Sequence, residues 1–240
     1  MPLRSVVITK RVFDVTAAGL GLALVLPTFP FIALAIKLDS PGPILYRQRR
    51  AAGIMDRPDG SVGFKEFEIL KFRTMGTDAE KKTGAVMSQK NDARVTRVGR
   101  FLRATRLDEL PQFINILRGD MSLIGPRPER PEMMEKLMAV IPYFEERLRG
   151  VKPGLTGLAQ IRLSYTGAIP KGSELEPFRD ALQNPYKLEE AEGALADDLR
   201  AKLAYDLAYA AAMEHLPTFL RLELEIIFKT PWVMLRGTKY

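Results

Sequence analysis

The stretch from Val15 to Ile36 reads VTAAGLGLALVLPTFPFIALAI and contains no charged residue. Its 22 residues are enough for a helix to span a bilayer. Lys10 and Arg11 precede it, and Lys37, Arg47, Arg49 and Arg50 follow it. Basic flanks favour the cytoplasmic side, and here both flanks are basic. A straight span separates its flanks, whereas a re-entrant hairpin returns both to one side. Pro27 and Pro30 stand in the middle of the stretch. Each removes a backbone donor, and each ring clashes with the preceding turn. The freed backbone groups need partners from protein or water, so the bend must be packed by the rest of the chain. The stretch therefore predicts helix–break–helix, with the break at Pro27, dipping into one leaflet and returning. A kinked transmembrane helix is the competing reading. A cleaved signal peptide, with Ala33-Leu34-Ala35 as its small-residue site, fits poorly, because the apolar run is long and twice broken by proline.

Downstream, Ser40-Pro41-Gly42-Pro43 is a turn by composition. Ile44 to Gln48 and Phe64 to Phe72 read as short strands, with AAGIMDRPDGSVG over residues 51–63 as their hairpin loop. Residues 76–95 are polar and read as irregular or briefly helical. Arg97, Arg100, Arg103 and Arg106 recur at intervals of three around Val98 to Leu107. On a helix they form a basic stripe, either solvated or facing phosphate. GPRP at Gly125–Pro128 and KPGLTG at Lys152–Gly157 are rigid turns. Residues 132–149 have a helical pattern interrupted by Pro142. Residues 168–200 are acidic and read as an exposed helical insertion. Ala201 to Met234 mixes large apolar residues with Arg221, Lys229 and Arg236, a pattern shared by amphipathic helices lying in a membrane interface and by helices packed on a protein core, and the apolar segment upstream favours the interface.

The composition narrows the chemistry. The 36 Lys and Arg residues outnumber 29 acids, a net charge of +7 that favours anionic partners. There is no Cys, so disulfides and thiolate metal sites are excluded. His215 is the only histidine and cannot build a zinc site alone. Carboxylates, Arg, Lys, hydroxyls and backbone must carry any reaction. No nucleic-acid recognition module is present, so nucleic acid is not an expected partner.

The outstanding pair is Asp108-Glu109 in TRLDELPQF. Proline belongs in the first turn of a helix. Pro111 therefore predicts a helix capped by Asp108, with Pro111 at its third position. An acid at a helix start has free N–H groups and positive dipole beside it, a place to hold a phosphoryl group. Arg103 and Arg127 offer planar cationic forks, and Lys71 and Arg73 in KFRTM add further cations. Two neighbouring carboxylates can hold Mg2+, which prefers oxygen ligands and retained waters.

In order, KRVFD, SPGPILYRQ, KFRTM, TRVGRFLR, LDELPQFINILRGDMSLIGPRPE and KPGLTGLAQI resemble the bacterial sugar transferase family. These are monotopic phosphoglycosyl transferases that begin glycan and exopolysaccharide assembly. The similarity runs from about Lys10 to Thr230 and is most specific from Leu107 to Glu129. The resemblance implies an α+β, mostly helical fold. Residues 1–40 would be the re-entrant membrane helix with its flank. Residues 41–240 would be a cytoplasmic-face catalytic domain with a small β-hairpin and interfacial C-terminal helices. It implies attack on a UDP-sugar by Asp108, departure of UMP, and transfer of the sugar phosphate to polyprenyl (undecaprenyl) phosphate, with Mg2+ required. Glu109 would serve as metal or proton-transfer partner. Arg103 and Arg127 would bind phosphate. Asp206 of the Tyr205-Asp206-Leu207 motif would help hold the site. The implied location is the cytoplasmic face of the bacterial inner membrane, and a homodimer is compatible with it.

The chain departs from the family pattern in places. The 51–63 loop is long, Leu158 stands where many relatives have Trp, and Ile161-Arg162 stands where many continue VNGR. The 168–200 stretch is extra. The sugar is therefore not named by the sequence. A non-enzymatic basic adaptor binding anionic lipid is the rival reading. It explains the charge and the apolar segment, but not the DE pair, the PRP turn and KFRTM together.

Overall fold

The computed structural model describes residues 2–77, 79, 92–163, 172–178 and 190–236. Most of the predicted irregular stretch at 76–95, residues 168–171 and 179–189 of the predicted 168–200 insertion, and the C-terminal tip lie outside the described residues. The rest is mostly helical, with one antiparallel hairpin and one short parallel pair.

Helix α1 (Arg4–Val25) leads into a single 3-10 turn (Leu26–Thr28) and then α2 (Phe29–Asp39). Pro27 lies within that 3-10 turn. Pro27 and Pro30 each occupy the first turn of their segment, where a missing N–H costs least. The hydroxyl of Thr28 donates to the Val25 carbonyl at 2.6 Å, satisfying one freed acceptor. Arg4–Asp39 is long and apolar enough to cross a membrane, and only 11% of its most apolar window is buried. Leu24 is 80% exposed and Phe31 74%.

Both ends of this segment are fixed to the body. Lys10 is buried and donates to Glu223 at 3.0 Å. Asp14 accepts from the Ser122 hydroxyl and the Leu123 N–H, each at 2.9 Å. Arg11 donates to the carbonyls of Ile116 and Leu117. The basic flank before the apolar run thus serves the protein interior. At the other end, Ile32 and Ile36 pack with Phe72 and Leu102, and Asp39 accepts from the Val98 N–H at 2.9 Å.

Strands β1 (Leu45–Asp56) and β2 (Val62–Phe72) pair antiparallel from Leu45↔Phe72 to Asp56↔Val62. The predicted 51–63 loop is therefore largely strand. Pairing continues past a bulge at Ala51/Gly53, and the turn shrinks to Arg57–Ser61. There Gly60 takes φ +80°, and Asp59 accepts from the Ser61 N–H. The hairpin's inner end carries Lys71 towards the site.

Helix α3 (Arg97–Thr105) is capped by Thr96, whose hydroxyl accepts from the Gly99 N–H. Helix α4 (Gln112–Arg118) lies against α1 and β2. Asn115 of α4 is fully buried and splices the two elements. Its side chain accepts from the Leu70 N–H and donates to the Glu68 carbonyl, as a neighbouring strand would.

The two proline–glycine turns read separately in the sequence meet in space. Strands β3 (Ser122–Ile124) and β4 (Gly154–Thr156) pair in parallel. A Cβ on Gly125 would come within 2.2 Å of the Lys152 carbonyl oxygen, so only glycine allows the approach. Helix α5 (Pro131–Val140) and a 3-10 segment (Phe144–Leu148) flank Pro142, the predicted interruption. Helices α6 (Leu158–Arg162), α7 (Glu190–Ala212) and α8 (Leu216–Arg236) complete the body. Tyr205, Tyr209, Phe219 and Ile226 join the main core with Val6 of α1. His215 is exposed at the start of α8, its Nδ1 2.7 Å from the Thr218 hydroxyl.

Candidate active site

Helix α3 ends at Arg106, which adopts φ +59° and turns the chain. A left-handed non-glycine residue costs about 1–2 kcal/mol. One 3-10 turn (Leu107–Glu109) follows, and α4 starts only at Gln112, with Pro111 at its N-cap. This corrects the sequence expectation: Asp108 does not cap the helix, and Pro111 is not its third residue. The reversal at Arg106 uses up the residues that would have formed the first turn. Pro111, with no N–H to donate, suits the boundary itself. The charges that face an anion here belong to side chains rather than to a helix terminus.

The acid pair lies between the hairpin, α3 and the β3–α5 turn. Lys71 Nζ is 2.7 Å from Glu109 Oε1, both largely buried. Arg127 Nη2 is 3.9 Å from the same oxygen, its side chain 44% exposed. Arg103 donates through Nε to the Thr74 hydroxyl at 2.8 Å. Asp108 is buried, and its Oδ1 has no hydrogen-bond partner among the described residues.

The two carboxyls are driven in opposite directions. Burial pushes Asp108 up, and the neighbouring Glu109 charge adds to the rise against Lys71, Arg103 and Arg106. Burial also pushes Glu109 up, but Lys71, Arg127 and Arg106 outweigh it and hold the carboxyl low. One acid is thus locked as an anion, while the other sits close to the pH range where small changes ionise it. Such divergence between adjacent acids is the usual sign of a working pair.

Five of the seven predicted site residues converge here: Asp108, Glu109, Lys71, Arg103 and Arg127. Two do not. Arg73 is buried and donates to the Pro41 and Ser40 carbonyls, bracing the turn after α2. Asp206 is buried on α7, where Arg147 Nη2 lies 2.7 Å from its Oδ2. It reaches the site only indirectly, because Arg147 also donates to the Arg127 carbonyl at 3.1 Å.

Two residues were missed. Arg106 belonged to the basic stripe, but its place beside Asp108 depends on a backbone reversal that no local pattern signals. Gln112 is buried, its Nε2 has no hydrogen-bond partner among the described residues, and it lines a small cavity with Lys71, Glu109 and Arg127. Its one sequence signal was a polar residue three before Asn115, on the same inner face of a short helix.

A second, larger cavity of about 300 Å³ opens from Arg106, Glu109 and Arg127 between α4, β4, α6 and α8. Among the described residues no group of three or more His, Cys, Asp or Glu side chains could hold a metal ion. The two carboxylates nevertheless suit a hard cation that keeps its waters and shares substrate phosphates. The unpartnered Asp108 Oδ1 leaves one oxygen open for it.

The acid pair is thus surrounded by Lys71, Arg103, Arg106 and Arg127. Residues 5–237 match the family model described as bacterial sugar transferase, and the chain belongs to that family. A UDP-glucose:undecaprenyl-phosphate glucose-1-phosphate transferase of Caulobacter vibrioides is 49% identical over 162 residues, covering 68% of this chain and 57% of that protein. A putative undecaprenyl-phosphate N-acetylgalactosaminyl 1-phosphate transferase of Bacillus subtilis is 50% identical over 139 residues, 58% of this chain and 72% of that protein. The UDP-N-acetylgalactosamine-undecaprenyl-phosphate N-acetylgalactosaminephosphotransferase of Aeromonas hydrophila is 36% identical over 228 residues, 95% of this chain and 44% of that protein. The chain thus spans about half the length of the Caulobacter and Aeromonas proteins.

Proposed function

We propose that this chain is a phosphoglycosyl transferase, moving a sugar 1-phosphate from a UDP-sugar to undecaprenyl phosphate with release of UMP. The observation that carries the reading is the Asp108-Glu109 pair, split in proton affinity and enclosed by Lys71, Arg103, Arg106 and Arg127. The relatives' shared chemistry supports it. Their names differ in the sugar, so the sugar is the variable to be assayed.

Asp108 is the nucleophile. Its carboxylate oxygen attacks the phosphorus that bears the sugar, the anhydride P–O bond breaks, and UMP leaves with the bonding electrons. A phosphosugar–aspartate remains. An oxygen of the lipid phosphate then attacks the same phosphorus and releases the Asp108 carboxylate. Splitting the exchange lets one pocket handle two anionic substrates in turn. Arg103 and Arg127 orient the diphosphate, and their charges offset its repulsion of the nucleophile. Lys71 keeps Glu109 ionised. Asp108 and Glu109 would hold Mg2+, which when bound neutralises phosphate charge and polarises its oxygens.

The lipid acceptor requires a membrane seat. Exposed leucines along α1 and α2, with both ends of that segment fixed to one body, support the re-entrant reading and a site on the cytoplasmic face of the inner membrane. Exposed Phe228 and Trp232 support an interfacial α8. The decisive experiment incubates the protein with a panel of UDP-sugars and Mg2+ without acceptor. One of them should give a near-stoichiometric burst of UMP and a mass gain of one sugar phosphate on Asp108. Asp108→Asn should fold and show neither. An adduct on another residue would overturn the assignment.

A further inference from the structure

We infer that the 300 Å³ cavity beside the acid pair seats the head-proximal isoprene units of the polyprenyl phosphate acceptor. The inference rests on the transferase reading above and adds where its lipid substrate enters. The cavity is polar at one end and apolar along its walls. Arg106 and Arg127 stand at the reaction end, where a lipid phosphate would meet the phosphosugar. Phe113, Leu155, Ile161, Ile227 and Pro231 form apolar walls. The wall threonines offer little to a polar ligand. The Thr156 and Thr230 hydroxyls lie 2.9 Å apart, and Thr230 also donates to the Ile226 carbonyl. The one carboxylate lining the cavity, Glu109, stands at its reaction end with Oε1 engaged by Lys71. Gln160 is the exception, since neither polar atom of its amide has a hydrogen-bond partner among the described residues. Its Nε2 can donate to a phosphate oxygen.

The cavity also borders the membrane segment. Phe113 lies so close to Gly21 of α1 that a Cβ there would approach its ring to 2.9 Å. Leu20 and Leu24 are exposed on either side of Gly21. On α8, Ile227 and Pro231 face the cavity, while their neighbours Phe228 and Trp232 are exposed. A chain leaving the cavity therefore passes onto apolar surface. The volume is at the small end for ligand sites, about 300–1,000 Å³, so the rest of the polyprenyl chain remains in the bilayer.

Trp232 is the only tryptophan, and it adjoins wall residues Pro231 and Val233. Its emission reports occupancy without any catalytic assay. Farnesyl phosphate titrated into the full chain in detergent should change that emission saturably, and neither farnesol nor inorganic phosphate should match its affinity. Ile227→Phe should fill the cavity and weaken binding at least tenfold. Val233→Phe, which obstructs the rim without entering the core, should do the same and guards against a folding defect in the first variant. In turnover, both should slow acceptor-dependent transfer relative to acceptor-free UMP release by at least tenfold. Competitive displacement of farnesyl phosphate by UMP would make this a nucleotide site and overturn the inference, with Gln160 then reading the base. So would unchanged affinity in both variants, or no saturable binding. Farnesyl phosphate binding as described, with no UMP release from any UDP-sugar, would sink the transferase reading and leave the lipid site standing.

Discussion

Arg147 Nη2 lies 2.7 Å from Asp206 Oδ2, and both side chains are sealed from solvent at 2% exposure. The guanidinium also covers the face of Phe144 and donates to the backbone carbonyl of Arg127. A second arginine, the half-buried Arg50, donates to the next carbonyl, that of Pro128. The segment that presents Arg127 is thus held from behind by two cations.

Removing one member of this buried pair strands the other's charge. Asp206→Ala should cost about 3–5 kcal/mol of stability, the range for breaking a buried ion pair. Chemical denaturation measures it. Arg147→Lys keeps the charge but loses the planar guanidinium whose Nη2 alone reaches both Asp206 and the Arg127 carbonyl. It should fold, and the KM for UDP-sugar should rise more than kcat falls. Unchanged KM would show that the brace does not orient Arg127.

A pH profile tests the split acids. Asp108 is pushed up to about 6 by burial and the Glu109 charge. Only the ionised carboxylate attacks, so the acceptor-free UMP burst should be lost as pH falls through about 6 and be full above 7. Glu109→Gln removes the repelling charge, so the surviving acid limb should move to lower pH. A limb near pH 4 in the unsubstituted protein would contradict the buried, repelled state of Asp108.

The close approach of α3 to the strand exit makes a third test. A Cβ on Gly99 would stand 2.1 Å from the Thr74 carbonyl oxygen. The same Thr74 accepts from Arg103 through its hydroxyl. Gly99→Ala should force the helix away, cost about 1–3 kcal/mol as overpacking does, and misplace Arg103. The burst rate should drop along with the melting temperature. A variant that melts lower but keeps its burst rate would separate Arg103 placement from helix packing.

Much of this arrangement is legible in the sequence, and the misses have physical reasons. The proline-centred turn near Leu26–Thr28 and the grouping of the acid pair with Lys71 and Arg127 depend on short-range chemistry that residue types reveal. Lys71 and Arg73 look equivalent in KFRTM, two apart, as on one face of a strand. The strand ends at Phe72, so Arg73 leaves that face and turns to the Ser40-Pro41 carbonyls. Arg147, in EERLRG, is not singled out in the sequence, because its partner Asp206 is far along the chain. The Asp108 cap failed on one backbone reversal, since a left-handed arginine has no local signature. The hairpin was underestimated because strand pairing continues through a bulge that breaks the alternation.

Topology is the remaining test, and the Cys-free chain makes it direct. Arg4–Asp39 comprises 36 residues. A straight helix of that length would be about 54 Å long, against a hydrocarbon core of about 30 Å. One end is tied to Glu223 through Lys10, and the other to α3 through Asp39. If the break at Pro27 turns the segment back, those tethers lie on one side of the membrane and no backbone emerges on the other. Single cysteines at Ser5, which is exposed, and at Ser40, which is half-buried, avoid the buried contacts of the segment. In intact cells an impermeant maleimide should label neither. After the membrane is opened it should label both. Labelling of one position from outside and the other only from inside would establish a true span. It would also place the acid pair and the basic flank of α1 on geometry incompatible with the tethers described above.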